Sequence, residues 1–186
     1  MIKRLFVHFI FTLFIANISL ANEKNIVIIH DEPINIPEIS FFDDQDKLVT
    51  LEQFDSKIIV LNIWATWCAV CASKMPDLDK LAKKLKKEDI TIVPISLDYR
   101  GYEVVKSFYE SKNIKNLGIF LDKKRTLLNA LSLPSIPAVI FVNKSGQEFA
   151  RIYGIVDWEQ DKKIMNIINQ YIELHEHDDE DQESAE

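Results

Sequence analysis

The spacing of apolar residues changes repeatedly along this chain, and each change marks an element. Ile58-Ile59-Val60-Leu61-Asn62-Ile63-Trp64 is continuous, β-branched and apolar, which predicts a strand buried on both faces of a sheet and therefore central. From Cys68 onward the apolar positions shift to Leu78, Leu81, Ala82 and Leu85, one face of a helix whose other face carries lysines. Pro76 lacks an amide donor and predicts a kink within it. A strand at Ile90 to Leu97, a helix at about Tyr102 to Ser111, a short strand at Ile119 to Leu121 and a short helix near Thr126 to Leu131 follow. This alternation implies parallel strands joined by helical crossovers, an α/β architecture.

Two hairpins frame that unit. Phe41-Phe42 and Leu48 to Leu51 flank the turn-like Asp43-Asp44-Gln45-Asp46, and Ala138 to Val142 and Gln147 to Tyr153 flank Asn143 to Gly146. A last helix starts near Asp157 as N-cap and presents Ile164, Ile167, Ile168, Tyr171 and Ile172 on one side. Asn22 to about Glu38 is polar, with Pro33 and Pro37 discouraging regular structure. Beyond Leu174 the chain is too acidic and too poor in apolar residues to pack. The chain thus divides into an N-terminal segment 1–21, a polar linker 22–37, a folded domain 38–174 and an acidic disordered tail 175–186.

With 186 residues, 47% of them hydrophobic and only four Gly, one core is expected rather than two. The net charge of −7 is local: His175 to Glu186 holds seven acidic residues and no Lys or Arg, and without that tail and the two cations of residues 1–21 the body carries about −2. A nearly neutral body excludes a nucleic-acid partner, which needs a concentrated positive field. His175 and His177 read as part of a solvated tail rather than as a cation site. At the other end, Lys3 and Arg4 precede an almost uncharged apolar run from Leu5 to Ile18, and Ser19-Leu20-Ala21 offers small residues for cleavage after Ala21. An uncleaved membrane anchor is the alternative, the run being short of the about 20 residues that span a bilayer. Either form places the folded part in the periplasm, an oxidising compartment where two cysteines pair unless something reduces them.

Those cysteines stand in Trp64-Ala65-Thr66-Trp67-Cys68-Ala69-Val70-Cys71, where the central strand gives way to a helix. At a helix N-terminus unpaired amides and the macrodipole favour negative charge, so the Cys68 thiol is expected to titrate below the free value of about 8.5 and to attack. Cys71, almost one turn later and deeper, is the resolving sulfur. A closed zinc site needs four ligands, and the chain has no second Cys pair or nearby His doublet. Haem attachment needs His after the second cysteine, where Ala72 stands. A purely structural disulfide would close a loop too small to gain much entropy.

The segment WATWCAVC with Met75-Pro76 resembles the active site of the thioredoxin superfamily, most closely its exported TlpA/ResA/DsbE-like branch. The resemblance extends over roughly residues 38 to 173, through Val60 to Trp64, Ser96-Leu97-Asp98, Ile136-Pro137 with its following strand, and Gly154. It implies a thioredoxin fold: a central mixed β-sheet flanked by helices, with an N-terminal β-hairpin extension. It also implies a thiol-disulfide oxidoreductase with catalytic Cys68 and Cys71, no metal, and no cofactor beyond their disulfide. A cis Ile136-Pro137 bond would turn the Ile136 backbone toward the sulfurs to pair with substrate, and Trp67 would be an exposed platform for partners. The implied partners are exported proteins with cysteines, reduced during cytochrome c maturation or at copper sites, and a membrane-embedded electron donor.

Two residues depart from the pattern. Lys74 stands where many relatives carry Glu, and as a cation it would favour the thiolate unless it is simply a surface lysine. Asn62 replaces the buried Asp of thioredoxin itself, so no carboxylate there can move the Cys71 proton. Trp64 and Met75 read as core. The rival from another class is a copper(I) chaperone using the same pair, which would want a third soft ligand opposite it. Against a peroxidase of the peroxiredoxin kind, this chain lacks the Pro and Thr that lead into the peroxidatic cysteine there.

Overall fold

The computed structural model describes residues 25–159 and 162–183; the expected export segment 1–21 lies outside them. Its strands are β1 (Ile26–Asn35), β2 (Ser40–Phe42), β3 (Leu48–Thr50), β4 (Ile58–Trp64), β5 (Ile90–Ser96), β6 (Phe120–Leu121), β7 (Ala138–Asn143) and β8 (Gln147–Tyr153). Its helices are α1 (Ala69–Leu85), α2 (Tyr102–Lys112), α3 (Thr126–Ala130) and α4 (Lys162–Glu183). Among the described residues the strands form one sheet in the order β1-β8-β7-β4-β5-β6-β2-β3. The run read as central is central: β4 is buried at every residue, parallel to β5 and antiparallel to β7.

Because successive side chains alternate across a strand, β4 supplies both halves of the core. Ile58, Val60 and Trp64 pack with Met75 and Leu78 of α1, Val105 and Tyr109 of α2, and Ile164 and Ile168 of α4. Ile59, Leu61 and Ile63 pack on the opposite face with Phe41 and Val49 of the β2–β3 hairpin and Leu127 of α3. Trp64 stacks on Tyr109 at 6.0 Å between ring centroids. Both halves continue beneath the strand ends, where Cys68 and Ile136 touch each of them. The sheet is mixed and flanked by helices on an α/β plan, and the hairpin joins it through Phe42↔Leu121, as expected.

Two boundaries differ from the sequence expectation. The stretch assigned to a polar linker contains β1, which pairs antiparallel with β8 from Ile26↔Tyr153 to Ile29↔Ala150 and, after a register shift, at Ile34↔Glu148 and Asn35↔Gln147. Pro33 falls between the two paired stretches, where a missing amide is tolerated on an edge strand. With one neighbour only, Ile26, Ile28, Ile29 and Ile34 stay exposed, so the alternation that marks a half-buried strand is absent. Asp157, expected as the N-cap, pairs with Lys74, Trp158 beside it is buried, and the last helix is described from Lys162 onward. It then runs to Glu183, into the tail expected to be disordered: extending an existing helix is far easier than nucleating one, and Glu and Gln are good helix formers. Residues 184–186 lie outside the described ones. Pro76 lies inside α1, which spans it as one helix.

The side chain of Phe141 is fully buried on β7 and meets Phe149 at 5.8 Å. Phe141→Ala is expected to cost about 3–5 kcal/mol of stability, read as a fall in the urea midpoint with an unchanged slope.

Candidate active site

Four residues carry the chain from the buried strand β4 into α1. Leu97 donates its amide to the Trp64 carbonyl at 2.9 Å, prolonging the β4–β5 pairing, and Cys68 N donates to Ala65 O at 3.2 Å to close the turn. The turn is fixed from the side by Asp98, only 3% exposed. Its Oδ2 accepts the Thr66 amide at 2.8 Å and the Ser96 hydroxyl at 2.7 Å, while Oδ1 accepts the Thr66 hydroxyl at 2.7 Å. A buried carboxylate so supplied with donors meets the requirement that buried charge be paired or hydrogen-bonded.

Cys68 is the N-cap of α1: its backbone is extended (φ −84°, ψ 97°) and its Sγ accepts the amide of Cys71 at 3.3 Å. It thus occupies the place of the Ser or Asp oxygen in an ordinary cap. The two sulfurs are joined at 2.05 Å, with the Cα atoms 5.2 Å apart. Cys68 is half-buried and Cys71 is 4% exposed, so a partner arriving from solvent meets Cys68.

Behind Cys71 is a cavity of about 10 Å³ lined by Asn62, Lys74, Met75, Pro137 and Trp158, among others, about the volume of one water-sized sphere. Asn62, buried on β4, donates Nδ2 to the Met75 sulfur at 3.6 Å. Lys74 Nζ lies 3.5 Å from Asp157 Oδ2, so the cation beside the pair is itself faced by a carboxylate. The Ile136–Pro137 peptide is cis. The Pro137 carbonyl accepts the Gly154 amide at 3.0 Å, and Gly154 holds φ +97°, a conformation side-chain-bearing residues rarely adopt. Trp67 is 53% exposed, and the Arg125 guanidinium carbon lies 5.1 Å from its ring centroid.

The structure therefore gathers Cys68, Cys71, Asn62, Lys74 and Pro137 at one end of the sheet, with Ile136 beside them and Trp67 on the rim. Sequence reasoning named Asp98 only within the resemblance and Asp157 only as a helix cap, and gave Arg125 no role. Asp98 carried a readable signal, an acid directly after the strand that neighbours the cysteine-bearing one. Asp157 and Arg125 lie far from the cysteines in sequence and gave none.

A redox dithiol at the end of the central strand, on this sheet order, defines a thioredoxin-superfamily thiol-disulfide oxidoreductase of the TlpA/ResA/DsbE-like kind. The chain belongs to the Redoxin family, whose sequence profile matches residues 31–168. It is 27% identical over 124 residues to the thiol-disulfide oxidoreductase ResA of Bacillus thuringiensis, covering 67% of this chain and 70% of that one. Its fold is similar to a putative thiol:disulfide interchange protein DsbE of Chlorobium tepidum, with TM-score 0.65 at 17% identity over 75% of this chain and 96% of that one. It is also similar to a secreted thiol-disulfide isomerase of Corynebacterium glutamicum, with TM-score 0.66 at 21% identity over 79% and 91% of the two chains.

Asp98→Ala strands the hydroxyls of Thr66 and Ser96 and is expected to cost about 1–3 kcal/mol in urea unfolding. Asp98→Asn keeps an acceptor for the Thr66 amide and is expected to recover part of the loss. Disulfide exchange by the alanine variant, assayed below its unfolding transition, is expected to be slower than that of the parent.

Proposed function

We propose that this protein is a periplasmic disulfide reductase that keeps cysteines of exported proteins reduced, in cytochrome c maturation or at copper sites, and is itself recharged by a membrane-embedded dithiol donor. The observation that carries the chemistry is the Cys68 sulfur accepting an amide at the head of α1 while Cys71 is buried beneath it. In the reduced protein the Cys68 thiolate attacks a substrate disulfide, forming a mixed disulfide and releasing one substrate sulfur as thiolate. Cys71, deprotonated, then attacks the Cys68 sulfur, forming the intramolecular disulfide and releasing the second. Two electrons pass to the substrate, and the donor's dithiol restores the pair. The direction of flow, the compartment and the clients are supported by likeness to ResA and DsbE proteins and by the apolar segment Leu5 to Ile18. Among the described residues no helix is long and apolar enough to cross a membrane, so a retained anchor would be that segment.

In this reading Trp67 and the Ile136–Pro137 segment receive the substrate chain, Asn62 is a hydrogen-bonded core residue, and Lys74 favours the thiolate form of the pair. Alkylation of the reduced protein as a function of pH is expected to give Cys68 an apparent pKa below the free value of about 8.5, and Lys74→Glu is expected to raise it. A Cys68 that alkylates like free cysteine overturns the attacking role assigned to it, and an unchanged titration in Lys74→Glu overturns the role of the lysine.

Equilibration with glutathione is expected to place the couple well below about −180 mV. A value well above that assigns the protein to oxidation or isomerisation instead. Cys71→Ser is expected to accumulate mixed disulfides on Cys68, whose partners identify the clients.

A further inference from the structure

Three large side chains stay exposed around the redox end of the sheet: Trp67 at 53%, Val70 at 41% and Tyr99 at 69%. They come from the turn that carries Cys68, the first turn of α1 and the loop after β5. Arg125, in the loop after β6, ties this surface together. Its guanidinium lies over Trp67, and its Nε donates to the Leu97 carbonyl at 3.4 Å, so one cation bridges the loops that follow β4 and β5. Stacking on an aromatic face still leaves N–H groups in the guanidinium plane free to meet a carboxylate.

The charge of these loops is one-sided. Arg100, Lys124 and Arg125 are exposed, whereas the carboxylates of the same loops face inward. Asp98 is spent on Thr66 and Ser96, and Asp122 accepts the Leu127 amide and the Thr126 hydroxyl. Lys123 is satisfied by Asp46. A chain of net charge −7 thus presents a locally positive, aromatic face beside Cys68, and the positive end of the α1 dipole adds to it.

We propose that this face is the docking surface for client proteins and that Arg125 is its specificity-determining residue, selecting segments with acidic side chains beside the cysteines to be reduced. The proposal rests on the exchange reading above and adds to it a preference of charge. A positive rim is expected to raise the encounter rate with acidic segments, most strongly at low ionic strength.

The test uses two synthetic peptides, each with one internal disulfide, identical except that the flanking residues are Asp and Glu in one and Lys in the other. The reduced protein is expected to turn over the acidic peptide about tenfold faster in kcat/KM at low salt, with the advantage largely lost in about 0.5 M salt. Arg125→Glu is expected to shrink or invert the ratio, and Arg125→Lys, which keeps charge without the planar stack, to fall between. Equal turnover of the two peptides by the parent, or a ratio that Arg125→Glu leaves unchanged, overturns the proposal while the exchange chemistry stands. If the parent reduces neither peptide, the exchange reading falls and the docking surface with it.

Discussion

A central strand that is buried on both faces has to become a surface helix within four residues, and the redox site exists because that change of direction is held rigid. Asp98 does the holding. It lies at the end of the parallel neighbour strand, out of solvent, and takes its donors from both the backbone and the side chain of Thr66. The β4–β5 pairing, continued by Leu97 onto the Trp64 carbonyl, brings the carboxylate to the turn. Parallel pairing therefore matters to the chemistry as well as to the core, since it sets the C-terminal ends of two strands side by side. Ligand and catalytic sites gather at such ends in open α/β sheets.

The same turn separates the positions of the two sulfurs. An N-cap residue is half outside its helix, while a residue three positions on has been turned inward. Cys68 therefore stays within reach of a partner and Cys71 is sealed against Asn62, Met75 and Pro137. The neighbourhood of Cys71 is apolar except at Asn62 and Lys74, and the exchange proposed above uses this difference in exposure between the two sulfurs.

How much of this was legible in the sequence follows from how each element buries itself. β4 announces itself because both its faces are covered, and α1 and α2 because a single face is. β1 is hidden: an edge strand with a register shift and a proline has no regular burial to display, and its isoleucines sit in solvent. Asp157 was readable as a helix cap by type, but its ion pair with Lys74, 83 residues earlier, was not. The cysteines and Pro137 were readable from local pattern and resemblance. The contacts of Asp98 with Thr66, Asp157 with Lys74 and Arg125 with Trp67 were not, because each joins segments more than thirty residues apart and no local spacing encodes them.

The path of β1 has a consequence for the two ends of the sheet. Ile26 lies opposite Tyr153, which lies opposite Ala138, the neighbour of Pro137, and Asn25 sits against Gly154. Asn25, the first described residue, therefore lies at the same end of the sheet as the disulfide. The chain later runs along α4, whose Tyr171 reaches Asn143, the residue paired with the first position of β4 at the far end of the sheet. The edge strand β1 thus starts at the redox end of the sheet, whereas α4, as far as Glu183, runs past the opposite end.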